Sequence, residues 1–271
     1  AHSVPKELPL RLVADFVDRA DRGDHAVQPD EWADILSAVY PLDEPPSWER
    51  VTPRMMQRLV PHLGSLSPST LASLLRVLTA RPYTTKTGGL PGAPKNSPME
   101  QLPAAALKAV SRTVQAGGWD FPQTVDVFDS LGQLGWYSDE AVAEILGLCV
   151  RTPFLDPHMH DMLPLARACV ALRVHHAPLL HKMVTWYCWT HTYLRPKPLP
   201  SDQLDELLQF SDHLMELCFQ SMELQAVLAA NLRNPNASAR QVLGLLAVLA
   251  RSSHFPPEFR EACAKVCSES S

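Results

Sequence analysis

Glycine is scarce in this chain, 11 residues of 271, and no run of about 18 apolar residues occurs, so a spanning helix is not expected. No stretch alternates apolar and polar residues between turn signals, which argues against strands and for an all-α class. The six cysteines are Cys149, Cys169, Cys188, Cys218, Cys263 and Cys267. Four stand alone in apolar helical runs, where thiols behave as small hydrophobes. That spacing is not a secreted disulfide scaffold and favours a reducing compartment. The opening "AHSVPKELPL" reads as neither a secretory signal nor an amphipathic presequence.

Catalytic patterns are missing too. There is no GxSxG elbow to expose a nucleophile, no HExxH and no paired CxxC. "GGLPGAPKNS" is glycine-rich but lacks the GxxxxGK[ST] order that cradles phosphate. The histidines do not have ligand spacing. His158 and His160 are two apart; His175 and His176 are adjacent, with His181 five and six residues on. Helical ligands need intervals of three or four to share a face. Cys263 and Cys267 have that interval, yet no second pair accompanies them. No catalytic, cofactor-binding or metal-binding residue is therefore assigned, and the chain is expected not to be an enzyme.

Proline is plentiful, at 25 residues, and with little glycine it suits many short helices that proline starts and separates. "ELPLRLVADFVDRADRG" places Leu8, Leu12, Val13, Phe16 and Val17 on one face. "QPDEWADILSAVYPLDEPP" carries Trp32, Ile35, Leu36 and Val39. Thr52–Pro53 and Ser67–Pro68 open the next two helices as cap and first residue. Periodicity then fails from Tyr83 to Pro103, a long Gly/Pro-rich loop. Helices resume at "PAAALKAVSRTVQAGG", stop at Gly117–Gly118, and continue as Pro122–Leu134 and Ser138–Val150. "SDQLDELLQFSDHLMELCFQSMELQAVLAANL" reads as one bent helix or two.

Leu66–Tyr83 aligns with Asp120–Tyr137, matching Pro68 to Pro122, Thr70 to Thr124, Leu71 to Val125, Leu74 to Phe128 and Tyr83 to Tyr137. Pro157–Val174 and Ser238–Phe255 follow the same plan. With the long loop set aside, the intervals approach multiples of about 35–40 residues, the period of helix–turn–helix solenoid units. The expected architecture is one domain over residues 1–271, an α-solenoid of degenerate helix–turn–helix repeats with one long loop at about 83–103.

"PQTVDVFDSLGQLGWYSDEAVAEIL" resembles the degenerate helical repeats of organellar RNA-metabolism proteins, the octotricopeptide and FAST-kinase-like group. Leu66–Tyr83 and Ser238–Phe255 resemble it more weakly. The resemblance implies an organellar ribonucleoprotein setting, mitochondrial and on the matrix side.

Two surfaces carry the functional expectation. Residues 1–50 hold 5 Lys/Arg against 11 Asp/Glu, whereas residues 51–120 hold 8 against 2. If helices of the second segment stack, Arg54, Arg58, Arg76, Arg81, Lys86, Lys95, Lys108 and Arg112 are the candidates to line a phosphate-binding face, making RNA a partner through residues 51–120. "TWYCWTHTYLRPKP" sets Trp186, Tyr187, Trp189 and Tyr193 beside Arg195. These residues are the interface candidates, with helix core and stacking on RNA bases as the other readings. The formal charge of −5 argues that protein contacts dominate. The expected function is a non-catalytic scaffold or adaptor bound to other subunits of a large complex: a mitoribosome, its assembly intermediate or an RNA-processing complex. The alternative is a structural accessory subunit of a large organellar membrane complex, respiratory or ATP synthase.

Overall fold

The computed structural model describes residues 7–22, 27–39, 52–79, 98–155, 160–194 and 198–252. Among them are twelve α-helices and no strand, and no helix is long and apolar enough to cross a membrane. The chain divides into two compact units, Ala1–Cys149 and Val150–Ser271.

The first unit contains α1 (Glu7–Asp21), α2 (Pro29–Val39), α3 (Thr52–Leu59) running into a 3-10 segment (Val60–Ser65), α4 (Pro68–Thr79), α5 (Pro98–Ala116) and α6 (Phe121–Leu134). α7 (Asp139–Arg151) closes it. Helices pack on their next-but-one neighbours in two rows. In one row α2 packs on α4 and α4 on α6. In the other, α3 and the 3-10 segment pack on α5. Hydrogen bonds extend that second row to α7: Ser111 donates to Glu140 and Gln115 to Glu144, each at 3.0 Å, one helical turn apart on both helices. Leu71, Leu74, Leu75 and Leu78 of α4 and Val125, Val127, Phe128 and Leu131 of α6 form the buried core of the first row. Each such side chain contributes about 1.5–3 kcal/mol on burial.

Local sequence explains the helix ends. Ser67 accepts from the amide of Thr70 at 3.2 Å, capping α4. Asp120 accepts from the Gln123 amide at 2.7 Å while the Gln123 side chain accepts from the Asp120 amide at 3.4 Å, a capping box for α6. Two details depart from the sequence reading. Leu12 is 61% exposed, because it lies about 140° round α1 from the buried Val17. The expected loop at 83–103 includes Pro98–Pro103, which is helical in α5. Proline at the first helical position lacks only an amide that would be unbonded anyway.

The second unit contains α8 (Met162–Ala171), α9 (Ala177–Tyr193), α10 (Ser201–Glu216), α11 (Met222–Ala230) with a 3-10 turn (Asn231–Arg233), and α12 (Ala239–Arg251). The stretch that read as one bent helix or two is two, α10 and α11. Packing again joins alternate helices: α8 with α10, α10 with α12, and α9 with α11. Buried Gln241 of α12 donates to the Ser201 carbonyl at 2.7 Å and to Asp205 at 2.9 Å, tying α12 to α10.

One connector recurs three times. Gly135, Arg173 and Cys218 are left-handed, with φ of 68°, 54° and 54°. The next helix starts four residues after each, at Asp139, Ala177 and Met222. The amides of Trp136, Val174 and Phe219 reach back to the carbonyls of Leu131, Cys169 and Leu214 at 3.0, 2.8 and 2.9 Å. Those are the six-to-one bonds of a Schellman turn. Only the first uses glycine, so the recurrence is hidden from a glycine search.

Candidate functional site

The cations of residues 51–120 divide into different environments. Arg54 and Arg58 stand one turn apart on α3, as their spacing requires. Arg54 donates to Asp18 of α1 at 2.8 Å, and both arginines pair with Asp21. The hydrogen bond from Arg54 holds the Asp21 carboxyl below its usual range; desolvation opposes this and Arg58 adds to it. Arg54 is correspondingly raised, by Asp21 first and Asp18 second. The Arg58 guanidinium also lies 5.9 Å from the Trp32 ring centroid. Arg54 and Arg58 are thus ion-paired with α1 within the fold, at part-exposed positions. Part of the opposition between the acidic first segment and the basic second is resolved inside the first unit.

Arg76 sits on α4, in the other row, 3.7 Å from Asp126 with both side chains largely exposed. Such a pair is weak. Lys108 and Arg112 stand one turn apart on α5, both exposed, with no ion pair to either among the described residues. Arg112 lies beside Gly64, where an added Cβ would be 3.8 Å from its Nη1. Arg81, Lys86 and Lys95 lie outside the described residues.

The aromatic candidates also separate. Tyr187 is fully buried, stacked on Phe210 at 4.1 Å and beside the His191 ring at 4.4 Å. It is a core residue, not an interface residue. Leu180, Met183, Val184 and His191, at helical intervals from it, are buried with it. Trp186 is half-buried and meets the edge of Phe154 at 5.9 Å. Trp189 and Tyr193 are 49% and 71% exposed, with ring centroids 6.0 Å apart. Their stripe continues through His181 and Thr185, which are also exposed; four-residue spacing from polar positions marks it as the outer face. Arg195 lies outside the described residues.

Trp189 borders two surface clefts. One of about 470 Å³ is lined by Phe154, His181, Lys182, Thr185 and Trp186 as well. Its Lys182 donates to the Val150 carbonyl at 2.7 Å and to that of Thr152, and lies 4.3 Å from the Phe154 ring centroid. The other, about 540 Å³, runs between α9 and α11, with Trp189 and Tyr193 facing Glu223, Ala226, Val227 and Ala230. The α11 residues carry no motif; only the pairing of α9 with α11 brings them to the aromatics.

Cys188, His191 and Glu223 line this second cleft together, and a thiol, an imidazole and a carboxylate are the parts of a nucleophilic triad. The thiol is not activated. Burial, and then the charge of Glu223, push Cys188 up to about 12, opposite to the depression a thiolate nucleophile needs. Cys169 is pushed to about 12 by burial alone. Among the described residues no three His, Cys, Asp or Glu side chains converge on a metal-sized site. His176 caps α9, its Nδ1 accepting from the Leu179 amide at 3.3 Å. His158, Cys263 and Cys267 lie outside the described residues. Compared with known proteins, the chain matches no protein-family profile and no curated protein.

Proposed function

We propose that this chain is a non-catalytic scaffold: an α-solenoid adaptor subunit of an organellar ribonucleoprotein, working in the mitochondrial matrix. The observation that carries the scaffold reading is the alternate-helix packing, which repeats in both units with the same four-residue connector. Stacked helical pairs of this kind offer extended faces for partners. The exposed pair Trp189 and Tyr193 on α9 is one such face, of the residue types that anchor interfaces. The ribonucleoprotein setting rests on the resemblance of Pro122–Leu146 to organellar RNA-metabolism repeats. Lys108 and Arg112 are exposed cations of residues 51–120 with no ion pair among the described residues, and Arg76 is held only by a weak, exposed pair.

Sedimentation of the native protein from an organelle extract, before and after nuclease, tests the reading. The expected result is a large particle that keeps fixed protein partners and loses RNA on digestion. Sedimentation as a free monomer overturns the scaffold. Migration with a detergent-extracted respiratory or ATP synthase complex, with no RNA present, overturns the ribonucleoprotein assignment in favour of a membrane-complex accessory.

A further inference from the structure

We propose that the groove between α9 and α11 docks a helical segment of a partner protein, one presenting an aliphatic or aromatic side chain a turn away from a lysine or arginine. This deepens the adaptor reading and rests on it.

The groove's shape favours a helix. α9 and α11 pack side by side, and the channel between their outer edges holds about 540 Å³. Trp189 and Tyr193 line it from α9, while Ala226 and Ala230, a turn apart on α11, line it with small side chains. A ridge of side chains from an added helix fits between such edges. Both aromatics are exposed, so an occupant that covers them removes substantial apolar area from water.

The groove's charge selects the occupant. Glu223 is exposed and is the only Asp, Glu, Lys or Arg among the described residues lining it. An apolar partner lying over Glu223 without a cation would strip water from an unpaired carboxylate, which is costly. A lysine or arginine on the partner, next to its apolar anchor, replaces that water with an ion pair and sets the register. The same carboxylate repels phosphate, so this groove disfavours RNA even though its aromatics are of a kind that stack on bases.

The test uses the purified full chain and a displayed library of helix-forming peptides of about 16 residues, roughly four turns. One position carries Leu, Phe or Trp; the position a turn away carries Lys, Arg, Gln or Glu. The selected peptides are expected to carry Lys or Arg there. Their Kd should rise about tenfold on Trp189→Ala, as at an anchor, and roughly fivefold on Glu223→Lys. A peptide with glutamate in place of its cation should recover binding to Glu223→Lys. Both side chains are exposed, so the variants are expected to melt with the parent. An empty selection, binders indifferent to both substitutions, or single-stranded RNA binding in the groove would each overturn the proposal. Peptide binding and particle sedimentation are independent readouts: loss of the first alone removes this groove and leaves the adaptor reading standing.

Discussion

Arg54 on α3 donates to Asp18 on α1 at 2.8 Å, joining residues 36 positions apart in sequence. Asp21, one turn further along α1, takes both Arg54 and Arg58. The two most regular cations of the basic segment therefore answer the acidic helix before them, which leaves them less available to a phosphate backbone.

That cluster has an acid signature. The Asp21 carboxyl is held below 3.8 by its arginines, so the folded state favours the ionised form. The stabilisation is complete above 3.8 and is lost as pH falls through the lower folded value. Asp21→Asn is expected to cost about 1 kcal/mol at neutral pH, with the gap to the parent closing in strong acid. Urea midpoints measured across pH check it; a gap independent of pH contradicts the ion-pair account.

Two neighbouring aromatics should respond very differently. Tyr187→Ala removes a fully buried ring from the Phe210 stack and is expected to cost about 3–5 kcal/mol. Trp189→Ala, at an exposed position, is expected to stay within about 0.5 kcal/mol. Chemical denaturation of both variants decides it, and equal losses would mean that Trp189 is also core.

The recurrent connector makes a paired prediction. At Gly135 nothing lies within 4 Å of an added Cβ, so the cost of Gly135→Ala comes from the left-handed backbone alone, about 1 kcal/mol. At Arg173, with φ of 54°, glycine relieves the same strain, and Arg173→Gly should raise stability by about 0.5–1 kcal/mol. Thermal midpoints that move the other way would show that the Arg173 side chain contributes more than its backbone costs.

If RNA touches the first unit, Lys108 and Arg112 should carry the contact. Lys108→Glu with Arg112→Glu is expected to weaken binding of single-stranded RNA and to flatten its dependence on log salt by about 1.5. Arg54→Gln with Arg58→Gln should mainly lower stability. Titrations at several salt concentrations separate the two, and a larger loss of affinity in the α3 variant would reverse the assignment.

The legible part of the site was its residue types. Arg54 and Arg58 could be placed on one face from their interval, but the carboxylates opposite them could not, because Asp18 and Asp21 reach them from α1 across the tertiary fold. The aromatic cluster is legible as four residues, Trp186, Tyr187, Trp189 and Tyr193, beside Arg195. Sorting Tyr187 inward and Trp189 outward requires the phase of α9, which a helix rich in aromatics on several sides obscures. Glu223, Ala226 and Val227 carried no signal, since nothing local ties α11 to α9.

The sequence by itself determined the all-helical class and most helix boundaries. Those follow from apolar spacing, from caps such as Ser67, and from stops such as Gly117–Gly118, all short-range properties of the backbone. Tertiary structure decided which charges were already paired and which aromatics remained outside. It also revealed a common connector in which arginine and cysteine occupy the position of glycine. Those outcomes depend on which faces meet across intervals of about 35–40 residues, where packing rather than local propensity sets the geometry.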